Sequence, residues 1–169
     1  INKLTKSANF IPQELEELDN RLAEKYLCNF SVFQSAADVW AIDQVLPIMP
    51  ISRLNEEATQ NCELVDITCD SDGKIKHFTH TSSSNNNSIK LHPLKKHEAY
   101  YLGIFLTGAY QDVMGDMHNL FGRLNEIHVF SDAEDKSGFY IEEIIHGWNS
   151  DKILETMQYN PGSMAANIK

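Results

Sequence analysis

The sequence predicts a mainly β chain of the α+β class: an antiparallel β-barrel or sandwich with one helix before it and one after it. Three observations carry this. Short runs of β-branched, aromatic and aliphatic residues recur near positions 31, 42, 66, 76, 104, 129 and 142, separated by Pro, Gly, Asn and Asp breakers. A helical stripe at spacings of three and four occurs near the start, at Leu15, Leu18, Leu22 and Tyr26. A capping sequence, Asn149-Ser150-Asp151, opens a second helical segment near the end.

Taken in order, residues 1–11 form a lead-in. Pro12 suits a first helical turn, and Gln13, Glu14, Glu16 and Glu17 suit its positive end, so a helix is expected over 12–27. Residues 28–35 alternate as a strand. Ala36-Ala37-Asp38 breaks the pattern as a short turn or helical turn, and Val39–Leu46 is a further strand that leaves the sheet at Pro47 and Pro50. Leu64–Cys69 is a strand, and Lys74–Thr79 returns as its hairpin partner. The polar run 81–88 cannot bury apolar surface and is expected to be mobile. Ile89–Leu94 is a short strand. Tyr100–Thr107 is nearly all apolar, hence a buried strand. Residues 112–122 read as a helical turn or irregular segment. Ile127–Ser131 and Phe139–Ile145 form a hairpin around a polar loop. Ile153, Leu154, Met157 and Tyr159 face inward on the last helix, which Asn160-Pro161-Gly162 breaks. No internal repeat appears.

Composition narrows the function. With 169 residues, 42% hydrophobic and 22% charged, the chain can build a core. A net charge of −10 argues against nucleic acid and anionic membrane partners, which need basic patches, and is compatible with a small cationic ligand. No apolar run approaches the roughly 20 residues that span a bilayer, and no signal-peptide pattern opens the chain. Cys28, Cys62 and Cys69 are odd in number and lack metal spacing, which suits reduced thiols in a cytoplasmic protein. The first residue is Ile1 rather than Met, which points to a piece of something longer or a processed product.

The chemistry gathers at Asp66-Ile67-Thr68-Cys69-Asp70-Ser71-Asp72-Gly73-Lys74. There a strand runs into an Asp-Gly turn with a thiol beside a carboxylate. The stretch is not a calcium loop: its glycine comes too early and a bidentate acidic ligand is missing. The plain reading of Cys69 is a small buried residue at a strand end. The sharper reading is a proton donor, because like-charge repulsion from Asp70 disfavours the thiolate and keeps the proton on sulfur. No sequence-local histidine pairs with it as a base, so a papain-like nucleophile does not follow. His77 and His80 lie on opposite faces of a strand with no third ligand nearby, which favours solvent-facing side chains over metal ligation. Gly108-Ala109-Tyr110 follows an apolar strand. Glycine there lets a backbone or phosphate come close, and Tyr110 offers a hydroxyl to an anion or simply packs.

Several segments together closely resemble the C-terminal part of the biosynthetic arginine decarboxylases. They are 29–35 (Asn-Phe-Ser-Val-Phe-Gln-Ser), Trp40 to Gln44, Pro47 to Pro50, Asp66 to Gly73, Gly103 to Gln111, and His118-Asn119-Leu120-Phe121-Gly122. The resemblance runs in order from about 11 to about 160. It implies the alanine racemase and ornithine decarboxylase fold type, a (β/α)8 barrel that binds pyridoxal phosphate through a lysine, followed by a β-domain. Residues 1–27 would then end a helical-bundle insertion, 28–148 would be the β-domain, and 149–169 would start a C-terminal helical extension. The barrel is absent from this sequence, so no lysine or histidine here takes its cofactor roles.

The activity implied is conversion of L-arginine to agmatine and CO2 in polyamine biosynthesis. By resemblance Cys69 is the catalytic proton donor and Asp70 binds the substrate guanidinium, both reaching into a neighbouring subunit's site. Tyr110 contacts the cofactor phosphate within its own subunit, and Ser35 and Asp38 are further substrate contacts. The implied cofactors are pyridoxal phosphate and magnesium. The implied partners are the barrel of its own chain and that of a second subunit, in a homodimer or homotetramer, with the isolated segment inactive. The competing reading is a noncatalytic decarboxylase-like β-domain that acts in regulation or assembly.

Overall fold

The computed structural model describes residues 22–79 and 87–168. Most of the 12–27 helix, the loop at 81–86 and His80 therefore lie outside the described residues. The chain divides between Asp116 and Met117 into two compact units.

In the first unit a central strand, β3 (Gln60–Val65), organises the sheet. One edge pairs in parallel with β1 (Glu24–Leu27), with Glu24 opposite Cys62 and Leu27 opposite Val65. The other edge is shared by β4 (Lys74–Ile75) and β5 (Ile89–Leu91), both antiparallel. Alternation places Cys62 and Leu64 inward at 0% and 2% exposure, against Tyr26, Ile75, Ile89 and Leu91. A separate two-stranded sheet joins β2 (Ile48–Pro50) to β6 (Leu102–Ile104), with Pro50 opposite Leu102.

Several expectations are corrected here. Residues 24–27 are a strand, not a helix end. Tyr26 alternates inward, and its hydroxyl donates to the His92 carbonyl at 3.0 Å. Pairing with β3 outweighs the helical spacing, a tertiary override of local preference. The strand expected over 28–35 is instead helix α1 (Val32–Ser35), and that expected over 39–46 is helix α2 (Ala37–Ala41). Val32 and Phe33 are both buried, which alternation cannot achieve. Ser31 caps α1 by accepting from the Gln34 N–H at 3.3 Å, and Ser31-x-x-Gln34 was a readable start signal. The Tyr100–Thr107 run is not a buried strand. Only Leu102–Ile104 pairs, Leu106 is 83% exposed at φ +61, and helix α3 (Gly108–Met114) follows at once. The expected Leu64–Cys69 strand ends at Val65, and its partner β4 is only two residues long.

The second unit contains the expected hairpin, β7 (Glu126–Ser131) with β8 (Phe139–Ile145), irregular between His128 and Val129. Asn149 caps α4 (Ser150–Thr156) by accepting from Lys152 N–H at 2.9 Å, as its sequence predicts. Met157 and Tyr159, expected inward, are 46% and 57% exposed. Asn160-Pro161-Gly162 does more than end that helix. Asn160 caps a further one, α5 (Pro161–Ala166), with proline at its first position.

Across the described residues the fold is mixed α+β, with three separate sheets. Its core predicts an alkaline weakness. Burial pushes the Cys62 thiol up to about 11 from an ordinary 9.0. The folded thiol stays protonated where the unfolded one ionises, so its contribution is intact below pH 9 and is lost as pH rises toward 11. The expected slope is up to about 1.4 kcal/mol per pH unit. Cys62→Ala should flatten the fall of the unfolding midpoint across that window; parallel curves for parent and variant would show that Cys62 does not set it.

Candidate functional site

The loop 66–73 is built around Asp66, which is 4% exposed. Its Oδ1 accepts from Thr68 N–H at 2.9 Å and from Thr68 Oγ1–H at 2.8 Å. Its Oδ2 accepts from Val32 N–H at 2.9 Å, at the start of α1. A buried carboxylate is tolerable when donors satisfy both oxygens, and these do. At the loop's base Asp66 N–H donates to the Gly73 carbonyl at 2.8 Å, and Gly73 N–H donates to the Asp70 carbonyl at 3.1 Å. Gly73 is more than a turn residue. A Cβ there would stand 2.1 Å from Asp66 Oδ1 and 2.6 Å from Thr68 Oγ1, a collision no rotamer relieves without breaking the carboxylate's contacts.

This base leaves Cys69 and Asp70 exposed at the loop's tip. The plain reading of Cys69 as a buried strand-end residue is therefore corrected: β3 stops at Val65, and Asp66 turns the chain outward. Cys28 and Cys62 behave oppositely. Burial, followed by the Asp66 charge, pushes the Cys28 thiol up, and burial holds Cys62 up to about 11. Cys69 is the cysteine that faces solvent. His77 is exposed as expected.

Ser35, Asp38 and Tyr110 come from three neighbouring helices. α1 and α2 are consecutive, and α3 packs on both. A Cβ on Gly115 would lie 2.0 Å from the Gln34 carbonyl oxygen, so this close packing of α3's end on α1 requires glycine. The Ser35 hydroxyl is buried without a hydrogen-bond partner among the described residues. Asp38 is clasped by Gln111, which is 5% exposed. The Gln111 amide donates to Asp38 Oδ2, and Asp38 N–H donates to Gln111 Oε1 at 3.1 Å. Tyr110, next along α3, is 64% exposed. Asp66 ties the base of the 66–73 loop to this helical group through Val32.

Sequence reasoning missed Asp66, Gln111 and His92. Asp-x-Thr at 66–68 is a local carboxylate-to-backbone pattern that could have marked Asp66. Nothing local marks Gln111, whose partner is 73 residues away. His92 is 2% exposed. Its Nε2 pairs with the Glu56 carbonyl at 3.0 Å and its Nδ1 with the Tyr100 hydroxyl at 2.8 Å. Arg53 covers the Tyr100 ring at 5.0 Å. These contacts make His92 an internal fastener.

Among the described residues no group of three His, Cys, Asp or Glu side chains could hold a metal ion, so the magnesium implied by resemblance finds no ligand set there. None of their helices is long and apolar enough to cross a membrane. What the surface offers is an exposed thiol next to an exposed carboxylate, and an exposed phenol on α3.

No family model matches the chain. Biosynthetic arginine decarboxylase of Phocaeicola vulgatus is 47% identical over all 169 residues, and the chain covers 26% of it. That of Gloeobacter violaceus is 45% identical over the whole chain, again 26% of the relative. The chain thus spans about a quarter of the length of the curated relatives it matches. The crystal structure of the biosynthetic arginine decarboxylase of Campylobacter jejuni superposes with a TM-score of 0.73 at 39% identity, over 85% of this chain and 23% of that one. Diaminopimelate decarboxylase of Helicobacter pylori superposes with a TM-score of 0.52 at 12% identity, over 79% of this chain and 28% of that one, which shows likeness of fold alone.

Proposed function

From a match to the biosynthetic arginine decarboxylases that runs the length of this chain, we propose that it is the C-terminal portion of such an enzyme, converting L-arginine to agmatine and CO2 for polyamine synthesis. In this reading the β-domain runs to residue 148 and takes in β1 (Glu24–Leu27) as well, and 149–169 start a helical extension. The sheets of the first unit are parts of an antiparallel barrel or sandwich in this reading. The isolated portion is inactive, because the lysine that holds the cofactor belongs to a barrel outside this chain.

The observation that carries the reading is the exposed Cys69-Asp70 pair on a tightly fastened loop. Such a pair stands on an outer surface of this chain. It is suited to closing a site held by another body, the barrel of a second subunit across a two-fold interface. This reading takes the full-length enzyme as a homodimer or homotetramer in the cytoplasm.

The residues present fit one edge of pyridoxal phosphate. The Tyr110 phenol is 64% exposed and can donate to a phosphate oxygen. Nothing lies within 4 Å of where a Cβ on Gly108 would stand, so the backbone there is open to close approach. Bound, the cofactor supplies an electron sink for the pair left when the carboxylate departs as CO2. The chain's own side chains do the rest. Asp70 pairs with the guanidinium and fixes the distal end of the substrate. The Cys69 thiol delivers its proton to the substrate's α-carbon, completing agmatine. Ser35 brings a hydroxyl with no partner among the described residues, and Asp38 brings a carboxylate braced by Gln111. Both bound the substrate side.

The test is an assay of the full-length gene product with arginine, ornithine and lysine, read as CO2 release. Arginine should exceed the other two by at least roughly 10²-fold in kcat/KM, because a site built for a planar guanidinium leaves its carboxylate poorly paired with an ammonium. Equal rates would overturn the substrate assignment. No release from any of the three would favour the noncatalytic reading.

A further inference from the structure

The loop that presents Cys69 and Asp70 is fastened through a buried carboxylate, and the way it is held has a direction. Asp66 faces two elements at once. Oδ2 takes the Val32 N–H at 2.9 Å, and Oδ1 takes both donors of Thr68 at 2.9 Å and 2.8 Å. Thr68 Oγ1 in turn accepts from Asp70 N–H at 3.4 Å. An unbroken run of hydrogen bonds therefore leads from the start of α1, through Asp66 and Thr68, to the backbone of Asp70. Cys69 lies between its last two members and is bracketed on both sides. Ile67 N–H adds a second tie, to the Phe30 carbonyl at 3.1 Å, and the Asp66–Gly73 backbone bond closes the loop at its base.

We propose that Asp66 is a positioning residue that sets where the Cys69 thiol and the Asp70 carboxylate stand relative to helix α1, and so where the proton is delivered. This rests on the reading of Cys69 as the proton donor. The physical reason is reach. A donor displaced by about 1 Å costs on the order of 10²-fold in rate, and Asp66 is the buried anchor from which the run of hydrogen bonds reaches the tip. Networks of this kind act together, so loss of one member loosens the others.

The experiment compares Asp66→Asn and Thr68→Val with a control in the same loop, Asp72→Asn, in the full-length enzyme with cofactor. Asp66→Asn keeps the side chain's shape but turns an NH2 group toward the N–H of Val32 or of Thr68. Thr68→Val keeps shape and removes only the hydroxyl. Two readouts are taken. One is the partition between agmatine and an aldehyde by-product, which would form when protonation misses the substrate's α-carbon and water then frees the aldehyde, the substrate's amine nitrogen staying behind on the cofactor as its amine form. The other is the rate at which iodoacetamide alkylates the Cys69 peptide in cofactor-free protein.

Both test variants should raise the aldehyde share at least roughly fivefold and change the alkylation rate by a similar factor, while Asp72→Asn stays at parent values. Thr68→Val is the milder change and decides the matter if Asp66→Asn does not fold. A lower melting temperature with partition and alkylation both at parent values would make Asp66 a stability residue only and overturn the proposal. If Cys69→Ala itself leaves the partition unchanged, the donor assignment fails, and the alkylation rate alone then decides the positioning role.

Discussion

Cys69→Ala in the full-length enzyme is expected to lower agmatine formation by roughly 10²-fold, to raise the aldehyde share, and to leave cofactor binding intact. The size follows from what a positioned acid contributes over solvent water. The selectivity follows from geometry. Cys69 is the cysteine turned to solvent, while Cys62 and Cys28 sit within the sheet and beside it, with burial holding their thiols protonated. Alanine fits the exposed tip without a cavity, so a folding defect does not confound the result. Because the carboxylate still leaves, CO2 release and agmatine yield should separate. An unchanged kcat together with an unchanged product ratio would remove Cys69 from the reaction.

Asp70→Asn should raise KM for arginine by roughly 10- to 100-fold, the range of a charge-assisted hydrogen bond worth about 1.5–3 kcal/mol. A guanidinium meets a carboxylate through two parallel donors, and asparagine offers one acceptor and an opposing NH2. The effect should fall on KM more than on kcat, since the distal end of arginine does not change during the reaction. Ornithine, which lacks the planar group, should respond less. If KM for arginine is unchanged, the guanidinium is held by other residues.

What was legible in the sequence was local. The β7–β8 hairpin and the Asn149 cap follow from alternation, turn residues and a capping side chain within a few positions of one another. The segment 24–46 was misread because its partners are distant. β1 is a strand on account of β3, some 38 residues on, and the first turn of α1 is completed by Asp66, 34 residues away. The apolar run at 100–107 looked buried because its composition is that of a core strand, yet Leu106 and Gly108 both adopt positive φ and turn the chain into α3. The site shows the same division. An exposed corner with thiol and carboxylate could be read from a strand running into Asp-Gly. The carboxylate that fastens the corner could not, because its role depends on Val32 and on the missing Cβ of Gly73. Tyr110 was placed after a buried strand and stands instead on a helix braced by Gln111 and Asp38.

The central claim is that Cys69 and Asp70 complete a site carried by another subunit. Mixing two inactive full-length enzymes tests it most directly. One carries Cys69→Ala; the other is disabled at the cofactor lysine of the barrel. Random reassortment into dimers should restore on the order of a quarter of parent activity, because half of the dimers are mixed and each mixed dimer holds one site with an intact lysine and an intact thiol. A mixture that stays inactive after proven subunit exchange would show that each chain completes its own site, and would contradict the account.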